Sequence, residues 1–213
     1  VLKTRQLGYD GKGQAKVSSE AETVEAFARF MSPSILEGFI DFEREVSVIA
    51  ARSADGGIEA YDVVENEHRN HILHRTIAPA RVASTVNENA REIAARILAN
   101  LDYVGVIGVE LFLTRNGRLL VNEIAPRVHN SGHWTLDACA TSQFEQHIRA
   151  VAGWPLRSAA RHSNAEMINL IGDDAKDWEA LAAEPNASIH FYGKRDIKPG
   201  RKMGHVTRLF AKE

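Results

Sequence analysis

The chain has 213 residues, of which 44% are hydrophobic and 25% charged, and its formal net charge is -2. This composition is typical of a soluble globular protein and gives no electrostatic reason for nucleic-acid binding. The longest apolar runs are far shorter than the ~18 residues that a membrane span needs. The only cysteine, Cys139, excludes an internal disulfide framework and fits a reducing cytosol. The sequence therefore indicates a cytoplasmic protein without nucleic-acid or membrane partners, in which Cys139 is a packing residue.

A glycine-rich hairpin is predicted close to the beginning, between a short extended run and a second one at Ala15–Val17. Three glycines within Gly8–Gln14 allow close backbone approach to a ligand, and successive N–H groups there can bind an anion. Lys3 and Lys12 would add positive charge for phosphates. A plain mobile turn is the alternative. Because the chain starts inside a strand without an initiator methionine, we expect it to be a fragment of a longer protein.

Two amphipathic helices are predicted from apolar residues at helical spacing. The first covers Ser19 to Met31, with a serine cap at its start and Val24, Phe27 and Met31 on its apolar stripe. The second covers Asn87 to Leu101. Its buried stripe is predicted to consist of Ala90, Ile93, Ala94, Ile97, Leu98 and Leu101.

Between these helices the pattern predicts an antiparallel meander. Glu37 and Glu45 lie in this predicted meander. They are either solvated strand residues or residues that contact a bound molecule. Glu67, His68, His71 and His74 resemble a metal cluster, but their spacing matches no defined zinc pattern, so a polar surface is favoured. The predicted strands are Ile35–Ile40, Glu45–Ala50 and Ile58–Val64, with a turn at residues 55–57.

A hairpin after the second helix concentrates the functional residue types. Its strands are predicted from Val104 to Thr114 and from Leu119 onward, and Asn116-Gly117 between them is a strong signal for a two-residue loop. Pairing outward from that loop sets Arg115 opposite Arg118, Leu113 opposite Leu120, and Glu110 opposite Glu123 on one face.

The pair of Glu110 and Glu123 predicts a cation site. Directly opposed like charges are destabilising unless something positive lies between them. Oxygen ligands favour magnesium or manganese over zinc. The alternatives are two solvated glutamates on an exposed hairpin, or a pair that shares one proton. Asn122 points to the opposite face in a regular strand, and it would turn in only at the strand end.

The ordered motifs of the chain resemble the ATP-grasp superfamily and, within it, the 5-(carboxyamino)imidazole ribonucleotide synthases of purine biosynthesis. The resemblance covers nearly the whole chain, and its most specific part is the run from Ala125 to Trp134. The other motifs are Lys3, Gly8–Gln14, Glu37–Ile40, Glu45, Glu110, Asn122-Glu123, Met167–Gly172 and Lys198–His205.

The resemblance implies an α+β fold of two subdomains, each built on an antiparallel sheet with covering helices, with the nucleotide between them. It implies a partial lid subdomain at residues 1–40 and a metal and catalytic subdomain at residues 41–155. Residues 156–213 would contribute a basic loop for the substrate phosphate. The family carries an additional N-terminal domain and continues beyond the position of residue 213.

The resemblance also implies roles for individual residues. Glu110 and Glu123 would bind Mg²⁺, with Mn²⁺ as the alternative ion, and Arg127, His129 and Lys3 would be catalytic. The ATP site would comprise Lys3, Gly8, Tyr9, Asp10, Gly11, Lys12, Gly13, Gln14, Glu37, Gly38, Phe39, Ile40, Glu45, His68, Asn122 and Glu123. The ribonucleotide would contact Tyr9, Asp10, Asn130, Lys194, Arg201 and Lys202, while His133, Trp134 and His205 would pack around its pocket.

The implied reaction is an ATP-driven ligation. Bicarbonate would be phosphorylated to carboxyphosphate, which then carboxylates the amine of 5-aminoimidazole ribonucleotide, and the full-length protein is expected to be a homodimer. Two alternatives remain: a nucleotide-binding fragment without catalysis, and another ATP-grasp ligase that forms an acyl phosphate. The basic run Lys194–Lys202 could also be an exposed charged loop.

Overall fold

The computed structural model describes residues 1–6 and 12–212. The chain forms two compact units, which we describe separately. The small unit comprises Val1–Asp41 and His68–Ile72, and the large unit comprises Phe42–Glu67 and Leu73–Glu213. The division into residues 1–40, 41–155 and 156–213 stays a prediction.

The small unit contains a three-stranded antiparallel sheet and one helix. Strand β1 (Leu2–Thr4) lies between β2 (Gln14–Ala15) and β3 (Ser34–Leu36). Helix α1 (Glu20–Phe30) begins where Ser19 Oγ accepts a hydrogen bond from the backbone N–H of the third residue after it. This cap satisfies one of the donors that a helix start leaves free, and it confirms the predicted helix and its serine cap.

The predicted apolar stripe of α1 is not its buried face. Ala26 is the buried residue of this helix, whereas Val24, Phe27 and Met31 are exposed by 63%, 52% and 91%. The small residue lets the helix approach the sheet closely, and the larger residues project away from it. Helical spacing therefore identified the helix correctly but assigned the wrong side to the core.

The large unit is built on one sheet of nine strands in the order β11-β12-β10-β7-β6-β4-β8-β9, with β5 paired to β4. Strand β4 pairs antiparallel with β5, β6 and β8, and the other registered pairs are antiparallel as well. The strands are β4 (Arg44–Arg52), β5 (Ile58–Ala60), β6 (Val64–Arg69), β7 (Ile72–Ala78), β8 (Gly105–Leu113), β9 (Leu119–Ala125), β10 (Asn164–Ile171), β11 (Ala187–Phe191) and β12 (Lys202–Phe210).

The meander prediction is correct only in part. The turn at residues 55–57 does join β4 to β5, but the predicted strand Ile58–Val64 is divided: its first three residues form all of β5, and its last residue begins β6. The predicted strand Ile35–Ile40 ends at Leu36 and pairs with β1 of the small unit rather than with β4. The prediction assumed that strands adjacent in the sequence pair within one sheet. The chain instead leaves the three-stranded sheet after Leu36 and enters the nine-stranded sheet at Arg44.

Helices cover the large sheet and complete its cores. Helix α2 (Ser84–Asn100) buries Ala90, Ala94 and Leu98 against β4 and β8, as predicted, but Leu101 is exposed. The remaining helices are α3 (Thr135–Ala138), α4 (Gln143–Val151) and α5 (Trp178–Ala182), with 3-10 helices at Asn130–Gly132 and Gly172–Asp177.

Cys139 lies in a second core with Trp134 and Tyr61, which confirms it as a packing residue. Burial raises the pKa of its thiol to about 12, so the thiol stays protonated at neutral pH. Within the described part of the chain, no helix has both the length and the apolar character that a bilayer crossing requires.

Candidate active site

The β8–β9 hairpin differs from its prediction at the turn and agrees with it at the acidic pair. The loop has three residues rather than two, because Thr114 N–H donates to Arg118 O at 2.9 Å and Gly117 has a positive φ of 78°. Leu113 consequently pairs with Leu119, not Leu120. The predicted two-residue loop, and with it the pairing of Arg115 with Arg118, is therefore wrong.

A β-bulge restores the register further along the hairpin. Leu111 pairs with Val121, yet its neighbour Glu110 pairs with Glu123, so Asn122 is the extra residue on β9. The shift of one residue at the turn is cancelled by the shift of one residue at the bulge. The predicted pairing of Glu110 with Glu123 is therefore confirmed, although the route to it differs. A bulge can also re-aim a side chain, so Asn122 need not follow regular alternation.

Glu110, Glu123 and His129 form an acidic and imidazole cluster at the end of this hairpin. Each offers one ligand atom, and the three atoms lie within 4.8 Å of one another. His129 Nε2 lies 3.5 Å from Glu110 Oε1, and both side chains are largely buried, whereas Glu123 is exposed. Water and ions can therefore reach the cluster from one side.

The backbone around His129 is fixed from two directions. Gln143, at the start of α4, accepts a hydrogen bond from His129 N–H at 2.9 Å and donates one to His129 O at 2.7 Å. On the other side, a Cβ at Gly108 would lie 2.7 Å from His129 Cβ. Only glycine at this position of β8 leaves room for the histidine to lie against the strand.

A buried chain of hydrogen bonds leads from the sheet interior to the His129 ring. Thr76 Oγ1 donates to Asn66 Oδ1 at 3.0 Å, and Asn66 Nδ2 donates to Ser47 Oγ at 2.8 Å. Ser47 Oγ donates to Ser131 Oγ at 2.8 Å, and Ser131 Oγ lies 2.9 Å from His129 Nδ1. The chain joins β7, β6 and β4 to the segment that carries His129.

The hydrogen bonds from Ser131, at the end of this buried series, determine which nitrogen of His129 carries the proton. The backbone N–H of Ser131 also points at Nδ1, at 3.4 Å, and a backbone N–H can only donate. Nδ1 is therefore the acceptor, and the neutral ring carries its proton on Nε2, the atom that faces Glu110.

Two further residues of the predicted site lie beside His129 in the sequence. Asn130 has both amide atoms buried, and neither has a hydrogen-bond partner among the described residues. Buried amide groups nearly always have partners, so this amide is suited to a bound molecule. Arg127 is exposed, and its guanidinium donates to Val128 O at 2.9 Å.

The basic run of the predicted substrate site connects β11 to β12. Lys194 Nζ donates to Lys202 O at 2.5 Å, and Arg201 donates to Asp196 O at 3.1 Å. Two cationic side chains of the loop therefore hydrogen-bond to the backbone of the same loop. The beginning of this loop contacts the segment after His129 through Tyr192 OH, which lies 3.0 Å from His133 Nδ1.

The buried histidines here are neutral. Burial, and then the positive charges of His190 and Lys202, lower the pKa of His133 to about 4. Burial lowers the pKa of His205 to about 3, and repulsion from the rings of His133 and His190 in their protonated forms adds to this effect. Trp134 and His205 are buried and His133 is half-buried, and their place around a ribonucleotide pocket stays a prediction.

In the small unit, Lys3 and Glu37 form an ion pair with a 2.6 Å separation between Nζ and Oε2. Phe39 is exposed, and the ammonium of Lys16 lies 4.2 Å from its ring centroid. The structure places the other predicted nucleotide residues of the described chain on exposed or half-buried positions: Lys12, Gly13, Gln14, Gly38, Ile40 and His68 here, and Glu45 on β4 of the large unit. Gly8, Tyr9, Asp10 and Gly11 lie outside the described residues.

Residues outside the predicted site support it through hydrogen bonds within the protein. Gln143, Ser47, Asn66 and Thr76 were not predicted, because each lies on a different element and no local pattern marks it. Ser131 stood inside the most specific motif but had no assigned role. The sequence does carry one signal, since small polar residues at buried strand positions need partners.

The fold and the acidic cluster define a class of protein. Residues 1–144 match the family model described as the ATP-grasp domain, and residues 165–213 match the phosphoribosylaminoimidazole carboxylase C-terminal domain. The chain belongs to the ATP-grasp family.

Particular relatives are close in sequence and structure. The N5-carboxyaminoimidazole ribonucleotide synthase of Brucella melitensis is 54% identical over 98% of this chain and 59% of its own length. The crystal structure of the synthetase from Thermus thermophilus is 44% identical, with a TM-score of 0.89 over 98% of this chain and 56% of that one. The Aspergillus clavatus synthase in complex with ADP and 5-aminoimidazole ribonucleotide is 36% identical, with a TM-score of 0.91 over 99% and 57%. The chain thus spans somewhat more than half the length of these relatives.

We predict that Ser47→Ala lowers the free energy of unfolding by about 1–3 kcal/mol, because it leaves the buried Asn66 Nδ2 without its partner and removes the hydrogen bond that Ser131 Oγ accepts. Chemical denaturation measures this change. Ser163→Ala, which removes a hydroxyl that contacts only an exposed histidine, serves as the control and should change stability by less than about 0.5 kcal/mol. Equal free energies of unfolding for the two variants would contradict a stabilising role for the buried hydrogen bonds between Thr76 and His129.

Proposed function

We propose that the protein containing this chain carboxylates the amine of 5-aminoimidazole ribonucleotide in purine biosynthesis, with ATP and bicarbonate as co-substrates. The observation that carries the proposal is the cluster of Glu110, Glu123 and His129, whose ligand atoms lie within 4.8 Å of one another at the end of a paired hairpin. The relatives named for this reaction support the choice among ATP-grasp ligases.

The two carboxylates suit a hard divalent cation. Oxygen ligands from one or two carboxylates, completed by phosphate oxygens and water, are typical of Mg²⁺. Glu110 and Glu123 would hold the ion, with Mn²⁺ as a substitute. When bound, the ion neutralises charge on the phosphates of ATP, which in phosphoryl transfer is mainly electrostatic work. Asn122 and Glu45, near the same strands, are proposed to contact the nucleotide.

The small unit supplies the remaining nucleotide contacts in this proposal. Lys3 neutralises phosphate charge, and its present ion pair with Glu37 keeps the two groups in place until the nucleotide arrives. The segment Glu37–Ile40 contacts adenine, and His68 lies near the nucleotide. The glycine-rich segment Gly8–Gln14, including Tyr9 and Asp10, covers the phosphates and contacts the ribonucleotide.

Arg127 and His129 act on the carboxylating species. Bicarbonate attacks the terminal phosphoryl group of ATP and gives carboxyphosphate and ADP. The substrate amine then forms a C–N bond with the carboxyl carbon as phosphate departs. Arg127, exposed and directly after a proline, is suited to bind the anion with its guanidinium. His129 presents its Nε2 proton on the side of Glu110, where it can donate a hydrogen bond.

The ribonucleotide would be held by Asn130 and the basic loop. The buried amide of Asn130 has no partner in the described chain, so a polar ligand would satisfy it. Lys194, Arg201 and Lys202 suit a phosphate group, since they combine point charges with a guanidinium fork. The homodimer and the cytoplasmic location also stay predictions.

Phosphate release by the whole protein tests the proposal. Release should require ATP and bicarbonate together and should rise when 5-aminoimidazole ribonucleotide is added, with one carboxylated product per phosphate. A nucleotide-binding protein without catalysis would release none. An ATP-grasp ligase for another substrate would give no product from the ribonucleotide.

We predict that Glu110→Gln and Glu123→Gln each weaken Mg²⁺-dependent ADP binding while the fold is retained, because the change removes an ion ligand and relieves a like-charge contact. Calorimetry at fixed Mg²⁺ measures the affinity. Glu88→Gln, an exposed residue of α2, is the control. Unchanged affinity in both site variants would exclude this cation site.

Arg127 and Arg201 should differ in their kinetic effects. Arg127→Ala should lower kcat by about 100-fold or more with little change in ATP affinity, because it removes charge stabilisation at the reacting group. Arg201→Ala should mainly raise KM for the ribonucleotide. Arg115→Ala, at the exposed hairpin loop, is the control. An unchanged KM in Arg201→Ala together with lost nucleotide binding in Arg127→Ala would reverse these assignments.

A further inference from the structure

A second cluster of ligand-type side chains lies away from the carboxylate pair, in the large unit. Asp137 on α3, His190 on β11 and His205 on β12 each offer one ligand atom, and these atoms lie within 4.8 Å of one another. We refer to them as the Asp137–His190–His205 cluster. The two histidines are directly paired across the strands, so their side chains leave the sheet on the same face.

The separations in this cluster are close to those of a metal site. His190 Nε2 lies 3.0 Å and 3.1 Å from the two carboxylate oxygens of Asp137. Two ligands at ~2.05 Å from a tetrahedral ion are roughly 3.3 Å apart. A metal ion bound by both His190 Nε2 and the Asp137 carboxylate, in place of the hydrogen bond between them, therefore needs little movement of these two side chains. No two of the three ligand atoms are more than 4.8 Å apart, so the widest separation shortens by at most about 1.5 Å. The rings of His190 and His205 are nearly parallel, at 20° with centroids 4.7 Å apart, so rotation of a ring is needed to point both lone pairs at one ion.

His205 supplies an independent sign that the cluster binds a ligand. Its side chain is only 1% exposed, and its Nε2 is buried without a hydrogen-bond partner among the described residues. A buried polar atom that is left unpaired destabilises the fold. A metal ion would give this nitrogen its missing partner.

The other nitrogen of His205 has a partner that favours metal binding. Tyr192 OH lies 2.9 Å from His205 Nδ1 and 3.0 Å from His133 Nδ1. The hydroxyl has one proton, so it donates to one ring and accepts from the other. When it donates to His133, His205 Nδ1–H donates to the tyrosine oxygen, and His205 Nε2 is a bare lone pair. Metal-bound histidines commonly have such a hydrogen bond on their second nitrogen.

We propose that Asp137, His190 and His205 bind a divalent transition metal ion such as Zn²⁺, with Tyr192 as the residue that orients His205. Two imidazoles and a carboxylate favour such an ion over Mg²⁺, which prefers oxygen ligands. Three protein ligands leave a fourth position for water, and the half-buried His190 leaves a path for the ion. The bound ion joins α3 to the strand pair from which the basic loop extends.

The experiment uses the whole protein, freed of metal with a chelator and kept in excess Mg²⁺ so that the Glu110–Glu123 carboxylates are occupied. Co²⁺ is titrated and followed by its visible absorption, which is intense for tetrahedral coordination, and Zn²⁺ is then added as a competitor. One Co²⁺ per chain should bind and be displaced by Zn²⁺.

Variants separate this site from other histidines and from the carboxylate pair. His190→Ala should weaken Co²⁺ binding by more than about 100-fold, and Tyr192→Phe by about 10–100-fold, because the tyrosine only supports a ligand. His162→Ala, at an exposed histidine outside the cluster, should have no effect. The double variant Glu110→Gln/Glu123→Gln should also bind Co²⁺ normally.

Three results would overturn the proposal. One is the absence of any Co²⁺ or Zn²⁺ binding up to millimolar concentration. Another is equal Co²⁺ affinity in His190→Ala and the unmodified protein. The third is loss of Co²⁺ binding in the double carboxylate variant. If His190→Ala fails to fold by circular dichroism, Asp137→Asn replaces it, because the amide keeps the shape of the carboxylate and loses its charge.

Discussion

Antiparallel pairing of β8 with β9 sets Glu110 against Glu123, and the site depends on this like-charge contact. Directly opposed carboxylates repel, so the strand pairing holds together two side chains whose charges oppose this arrangement. Because the pairing continues on both sides of the two residues, neither can move away without breaking backbone hydrogen bonds. The large sheet thus maintains a binding geometry that the two side chains alone would not adopt.

His129 is held beside this pair by contacts that belong to other parts of the sheet. The hydrogen bonds from Gln143 fix its backbone, and the buried chain through Ser131 and Ser47 fixes its ring and its tautomer. Every member of that chain has its partner inside the protein, which is the condition under which buried polar groups make a structure more rigid. The ring is therefore placed before any substrate arrives.

The sequence predicted some of these features correctly, one wrongly and others not at all, and each outcome has a physical reason. Local patterns located α1, α2, the hairpin and the acidic pair, because capping, periodicity and alternation act over a few residues, whereas the helices after the hairpin were not predicted. The loop length was wrong, and the Glu110–Glu123 pairing survived only because the bulge at Asn122 compensates. The partners Ser47 and Asn66 could not be predicted, since they meet His129 through contacts between strands that no local pattern specifies.

The extra residue at Asn122 has a consequence for comparing this chain with its relatives. A hairpin with a two-residue loop and no bulge reaches the same glutamate pairing with the same number of residues, so two backbone solutions can present the same carboxylates. An alignment without gaps would then match two such hairpins letter for letter, although the cross-strand partners of the residues between the two glutamates differ by one. Superposition of backbones, rather than matching of letters, identifies which residue occupies the place of Asn122 in each homologue.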